Sequence, residues 1–439
     1  MSAWPQQPRC RTVTAPSATL LAPESTPRDA SPVTPSDFEP GYRPTLRTPE
    51  ARVGVRPGRL RIERSDDHAV EFDEEGRLVR TEHEGTSLRT TLDLRLIPSR
   101  VHGHGPRRRL ERDLPVIDDL DCVAAAHAEA HEVLHAAGTI DDDATRAWLE
   151  RIARWNADTL AADRARLQRI YRPIPVLPPD QYASLVVQLT EGCPWDRCTF
   201  CDFYRGVRHR IRSHDEVAAH VDALLAHLGR SLDRCRRVFL GQANALLIPP
   251  PTLHDRLALL RDRLPSSLYE FYSFVDAFHS IPTAEDLAPL RDAGLRRVYV
   301  GVESGSETVL EQLGKPMDTD AVVALVEAFH GAGIGIGVIL LVGAGGPRLA
   351  DEHRRATRDL VGRLGLGRGD QVYLSRLVVH EGSEYQERAR AEGLGTFTPA
   401  ELAAEEDELR RTLGFVRDHG AVIASYDLGR IAAWSPRSE

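Results

Sequence analysis

Three cysteines, Cys193, Cys198 and Cys201, fall within nine positions of the stretch LTEGCPWDRCTFCDFYRG (189–206). Thiolates are soft ligands that favour zinc, copper(I) and iron–sulfur clusters, so this density points to metal chemistry. A structural zinc site or a closed cluster takes four ligands, and the stretch supplies three sulfurs. From the residues alone, two completions are open. Cys235 follows Cys201 by 34 positions, and Cys-x4-Cys-x2-Cys with a later cysteine is the plant-type [2Fe–2S] arrangement. His209 or Asp202 would instead close a zinc site. A second metal pattern lies upstream. HEVLH (131–135) is a His131-Glu132-x-x-His135 motif with His127 one turn earlier, which would make a zinc hydrolase. Its setting, CVAAAHAEAHEVLHAAG, is an Ala-rich helix in which the same residues read as helix-surface histidines.

The cysteine stretch directly follows the apolar run SLVVQL (184–189), the first of six of strand length. The others are RVFLG (237–241), EFYSFVDA (270–277), RRVYVGVES (296–304), IGVILLVG (336–343) and QVYLSRLVV (371–379). Helical patterns separate most of them: Val217, Val221, Leu224, Leu225 and Leu228 share one face, and TAEDLAPLRDAG opens on a cap-like Thr283 and stops at Gly294. Near-continuous apolar strands alternating with amphipathic helices predict βα units around a buried parallel sheet. Six units make a partial, open (βα)6 TIM-like barrel, an α/β fold whose chemistry collects at the C-terminal ends of the strands. Small and polar residues stand at each of those ends: the cysteines, GQAN (241–244), VDAF, Glu303-Ser304, GAGG (343–346) and Ser375-Arg376.

Around this barrel, expected over 179–380, the chain divides further. Residues 1–50 are rich in Pro, Thr and Ser and are expected to be a disordered tail. Residues 51–105 alternate as a small β subdomain with DEEG as a hairpin turn, and 106–178 turn helical until RPIPVLPP. Residues 381–439 form a C-terminal extension with a charged helix and the apolar run AVIASY, expected to pack on the barrel.

Of the 439 residues 41% are hydrophobic, and no apolar run approaches the roughly 18 residues that span a bilayer. With no signal-peptide pattern and with clustered thiols suited to a reducing compartment, a cytoplasmic location without membrane partners is expected. The net charge of −9 argues against a nucleic-acid partner. Of 56 Lys and Arg residues only Lys315 is lysine, so arginine-rich stretches such as GPRRRLER reflect composition and a solvated surface.

GCPWDRCTFC after strand one, VYVGVESGSETVLEQLGK at strand four and GIGVILLVGAGG at strand five together resemble the radical SAM enzymes, over roughly residues 180–380. The resemblance implies that Cys193, Cys198 and Cys201 hold a [4Fe–4S] cluster by three of its irons, the fourth binding S-adenosylmethionine. The missing fourth thiolate would then be the functional feature. The spacing here is Cys-x4-Cys-x2-Cys where the family's commonest is Cys-x3-Cys-x2-Cys. By the same resemblance Phe200 contacts adenine, Gly241, Gln242 and Ala243 occupy the place of a Gly-Gly-Glu-like stretch that receives the methionine amino group, and Glu303 and Ser304 bind the ribose hydroxyls. Gly337 and Ile339 would lie near adenine, while Ser375 and Arg376 are rim candidates for carboxylate or substrate. Each has a plainer reading: Phe200 as core, Glu303 and Ser304 as a local turn, Gly337 and Ile339 as a tightly packed strand. The implied activity is reductive cleavage of S-adenosylmethionine to a 5′-deoxyadenosyl radical that abstracts hydrogen from a substrate in the barrel mouth. An external flavodoxin- or ferredoxin-like protein would supply the electron. The alternative class is an iron–sulfur electron carrier or cluster-bearing scaffold. An auxiliary cluster would require Cys10, Cys122 and Cys235 to meet.

Overall fold

The computed structural model describes residues 41–65, 67–102, 109–111, 116–137 and 140–426. The chain forms two compact units, Met1–Leu167 and Gln168–Glu439.

In the first unit, eight strands form an antiparallel meander in sequence order: β1 (Arg43–Arg47), β2 (Arg52–Arg56), β3 (Arg59–Ser65), β4 (His68–Phe72), β5 (Leu78–His83), β6 (Thr86–Thr90), β7 (Leu96–His102) and β8 (Arg109–Glu111). Alternation sets the faces. Leu60, Ile62, Val70, Phe72 and Leu78 point to a core shared with Val123, Ala126, Ala130 and Val133 of helix α1 (Leu120–Ala136). Charged partners share the opposite face, where Arg61 Nε donates to Glu63 at 2.8 Å and Tyr42 Oη donates to Glu71 at 2.8 Å. DEEG makes the expected turn, Gly76 N donating to Asp73 O at 2.9 Å. Helices α2 (Asp143–Ala153) and α3 (Ala157–Ile170) follow. The sheet is larger than its sequence span predicts: β1 begins inside 1–50 and β8 lies inside 106–178. Residues 1–40 of the expected tail lie outside the described residues.

The second unit runs β9 (Ser184–Gln188), the two-residue pair β10 (Thr190–Glu191) and β11 (Arg210–Ile211), α4 (His214–Leu228), β12 (Arg237–Gly241), α5 (Pro250–Arg263), β13 (Phe271–Val275), α6 (Ala284–Ala293) and β14 (Leu295–Glu303). It continues through α7 (Glu307–Gln312), α8 (Thr319–Gly331), β15 (Gly335–Val342), α9 (Gly346–Arg363), β16 (Gln371–Arg376), α10 (Glu384–Ala391), α11 (Pro399–Thr412) and β17 (Val422–Tyr426). The sheet order is β17-β16-β15-β14-β13-β12-β9, parallel throughout, so the α/β open barrel expected from the sequence is present. All six predicted strands form. A seventh comes from the C-terminal extension: VIASY pairs with β16 from Gln371↔Val422 to Ser375↔Tyr426, covering an edge that would otherwise present unpaired backbone groups.

The N-terminal ends of the strands are closed by a polar knot. Asp180 accepts from Tyr299 Oη at 2.6 Å, Tyr373 Oη at 2.7 Å and Arg297 at 2.9 Å, which satisfies a carboxylate that would be costly to bury alone. The opposite, C-terminal end of the strands carries the cysteine loop.

Candidate functional site

The loop between β10 and β11 carries the three cysteines and is held at both ends. Its entry, Gly192, has φ +71°, and a Cβ there would lie 2.6 Å from Val207 O, so only glycine lets the two limbs approach. Gly192 N donates to Gln242 Oε1 at 2.8 Å, while Gln242 Nε2 donates to Pro173 O at 2.9 Å. Inside the loop, Arg205 donates to Asp196 O and to Cys198 O, both at 2.8 Å. The outer side is clamped to the C-terminal end of α7, whose last carbonyls lack intrahelical partners. Thr199 N donates to Leu313 O at 2.9 Å, Thr199 Oγ1 to Gln312 O at 2.8 Å and Trp195 Nε1 to Gly314 O at 2.9 Å.

All three cysteines are free and part-buried. Burial pushes the Cys198 thiol up to about 11 and the Cys201 thiol up to about 12. A coordinating metal would take these groups as thiolates, trading the proton for the metal charge. Asp196 N lies 3.5 Å from Cys193 Sγ as a donor to sulfur. The described residues contain no group of three or more His, Cys, Asp or Glu side chains placed to hold one metal ion. Cys235 precedes β12, which runs parallel to β9 in the register Arg237↔Ser184 to Gly241↔Gln188, so it sits at the opposite end of the sheet from the cysteine loop. The plant-type fourth ligand is thereby excluded. A multinuclear cluster meets each thiolate at a different iron and needs no common point, so three sulfurs on one braced loop fit an open cluster. Cys122 lies on α1 of the first unit, Cys235 precedes β12 of the second, and Cys10 lies outside the described residues.

The remaining expected contacts divide. Gly241, Gln242 and Ala243 end β12 at the rim, but the Gln242 side chain is spent bracing the cysteine loop. Glu303 ends β14 with φ +63°, a conformation uncommon outside glycine, and its Oε1 accepts from Lys315 Nζ at 2.7 Å. Ser304 is fully buried, its Oγ lies 2.8 Å from His353 Nδ1 and accepts from Ser306 N at 3.0 Å. Its hydroxyl thus serves the local turn. Phe200, half-buried, packs against the apolar cluster of Val309, Leu313, Leu341 and Tyr385. Gly337 faces Tyr299, whose Cδ1 would lie 2.3 Å from an added Cβ, so packing accounts for this glycine; Ile339 is 8% exposed. Ser375 is buried beside Leu341, and Arg376 donates to Glu406 at 2.7 Å across to α11.

Sequence reasoning missed Lys315, although its standing as the sole lysine was a signal. It singled out GQAN and VDAF at the rim but missed His279 and the cluster they make, in which Asp276 joins His279 Nδ1 and Asn244 Nδ2, each at 2.7 Å. The cluster lies beside the cysteine loop, since Phe278, next to His279, meets Trp195 edge-on with centroids 5.8 Å apart. The HEVLH reading fails. His127 is fully buried with Nδ1 2.9 Å from Val123 O and Nε2 3.0 Å from Gly76 O, and Glu132 pairs with Arg64.

Residues 187–361 match the model of the Radical SAM superfamily. Among solved structures, the chain is similar to coproporphyrinogen III oxidase from Escherichia coli, described as a radical SAM enzyme, at 20% identity over 58% of this chain and 56% of that one, with a TM-score of 0.40. Methylornithine synthase is similar at 13% identity over 64% of this chain and 78% of that one, with a TM-score of 0.38. A radical S-adenosylmethionine methyltransferase from Kitasatospora setae is similar at 20% identity over 46% of this chain and 40% of that one, with a TM-score of 0.33. The chain thus spans little more than half the length of the oxidase. No curated protein matches it. No helix among the described residues is long and apolar enough to cross a membrane.

Proposed function

We propose that this chain, a member of the Radical SAM superfamily through residues 187–361, uses Cys193, Cys198 and Cys201 to hold a [4Fe–4S] cluster with one iron left open to S-adenosylmethionine. The observation that carries the reading is the loop of three free, part-buried thiols at the C-terminal rim, braced against the end of α7. When bound and reduced by one electron from an external flavodoxin- or ferredoxin-like partner, the cluster and S-adenosylmethionine supply a 5′-deoxyadenosyl radical that abstracts hydrogen from a substrate.

The chain's own part is placement. The α7 clamp fixes the cysteine loop against the sheet, so the thiolates are presented without a further ordering cost. At the end of β14, the Glu303 carboxylate is locked by Lys315 and would accept from the ribose hydroxyls through its other oxygen. Backbone carbonyls of Gly241, Gln242 and Ala243 would receive the methionine amino group, and Phe200 and Ile339 would line the adenine side. Ser375 and Arg376, at the end of β16, would face the substrate side of the mouth.

The test is anaerobic reconstitution followed by iron and sulfide counts, EPR of the reduced protein with and without S-adenosylmethionine, and assay of 5′-deoxyadenosine after dithionite. About four irons per chain, a spectrum altered by S-adenosylmethionine and reductive release of 5′-deoxyadenosine are expected. Zinc in place of iron, or a two-iron spectrum indifferent to S-adenosylmethionine, overturns the reading.

A further inference from the structure

Arginine supplies every cationic side chain of the lysine–arginine class except one, and that one is buried beside the cysteine loop. Lys315 follows Gly314, whose φ of +61° turns the chain out of α7 and whose added Cβ would lie 2.9 Å from Arg197 O. The turn therefore presses Lys315 toward the loop, in the same segment that receives the Thr199 and Trp195 hydrogen bonds. Its side chain is 11% exposed, and Nζ donates to Glu303 Oε1 at 2.7 Å. Space for the pair comes from Gly301, where a Cβ would sit 2.5 Å from Glu303 Oε1 and 2.8 Å from Lys315 Nζ. Such a slot suits a compact ammonium better than a planar guanidinium fork. The ammonium also interacts electrostatically with Cys198 and Cys201.

We propose that Lys315 is a positioning residue that sets the reduction potential of the cluster on Cys193, Cys198 and Cys201, with Glu303 trimming its field. The inference rests on the cluster reading above. Reduction adds one electron, taken from the external reductant, and breaks no bond, so the cluster and its thiolates become more negative by one charge. A buried positive charge nearby, little screened by solvent, favours that state, and a buried carboxylate opposes it. Removing each partner alone must then move the potential in opposite directions.

The experiment uses the full chain, reconstituted anaerobically, as wild type, Lys315→Met, Glu303→Gln, the double variant and Lys315→Arg. EPR-monitored redox titration with dithionite and mediators, in the absence of S-adenosylmethionine, reads the midpoint. Lys315→Met is expected to shift it negative, Glu303→Gln to shift it positive, the double variant to return toward wild type and Lys315→Arg, which keeps the charge but not the fit, to fall between wild type and Lys315→Met. Glu303→Gln preserves shape and the lysine, so the positive shift remains readable even if Lys315→Met fails to fold. Unmoved midpoints at full iron loading, or shifts of the same sign in both single variants, overturn the inference. A wild-type protein without a four-iron cluster overturns the reading beneath it and this inference with it; a loaded wild type with unmoved variants overturns this inference alone.

Discussion

His353 holds the turn after β14 from underneath, with Nδ1 on Ser304 Oγ and Nε2 buried without a partner. Burial, reinforced by the Arg354 charge, depresses its pKa to about 4, so the fold accepts only the neutral ring. The sign follows: the unfolded chain takes up this proton near pH 6.5 and the folded chain near 4, so stability present above pH 6.5 is lost as pH falls toward 4. Chemical denaturation across that window should show a loss of about 2–4 kcal/mol in the wild type beyond that of His353→Gln. Equal slopes in the two proteins would contradict it. The cysteines make a second contrast at this scale. Cys198→Ala should lose most of its iron on reconstitution, whereas Cys235→Ala, at the far end of the sheet, should keep the full complement and lose about 1 kcal/mol of stability from the small cavity.

Strands and helices place these residues by interlocking. Tyr299 lies across β15 because position 337 has no side chain, and its hydroxyl is fixed by Asp180 and Gln181, so the ring cannot yield. Gly337→Ala should therefore cost roughly 1–3 kcal/mol, and combining it with Tyr299→Leu should cost less than the sum of the two, read by denaturant midpoints. Thr199→Val removes the hydroxyl that caps α7's Gln312 carbonyl; about 1–3 kcal/mol and faster iron loss are expected, and unchanged iron retention would deny the clamp a role in holding the loop. Little of this interlocking is legible in one dimension. The strands were, because runs such as LVV (185–187) and VILLV (338–342) are apolar at consecutive positions, which two-sided burial explains. The cysteines were as well, since their spacing is local. The Ser304–His353 bond spans 49 positions and the Thr199–Gln312 bond 113, and no periodicity reports such pairs. Hence the bonds that tie the Ser304 hydroxyl into its turn had no signal in the sequence.

Over the whole molecule, two kinds of sheet answer two kinds of pattern. Alternation of Leu60, Ile62, Arg61 and Glu63 gives an antiparallel sheet with one apolar face, while continuous apolar runs give the parallel sheet of the second unit. The run AVIASY read as part of an extension because it lies far beyond the βα alternation, although it becomes the strand that completes one edge. A chain ending at Gly420 should expose β16 and aggregate, detectable by light scattering; a monodisperse, iron-loading product would show that β17 is dispensable.

The lone lysine has a consequence outside redox chemistry. With its only ε-amine sealed behind Glu303 and Gly301, the folded protein offers no lysine to any conjugation machinery or acylating reagent. Isopeptide tagging of this chain therefore requires the rim to open first. A lysine tag would mark only copies already coming apart at the site, and labelling by an amine-reactive dye, once the α-amino group is blocked, becomes a clock for that opening.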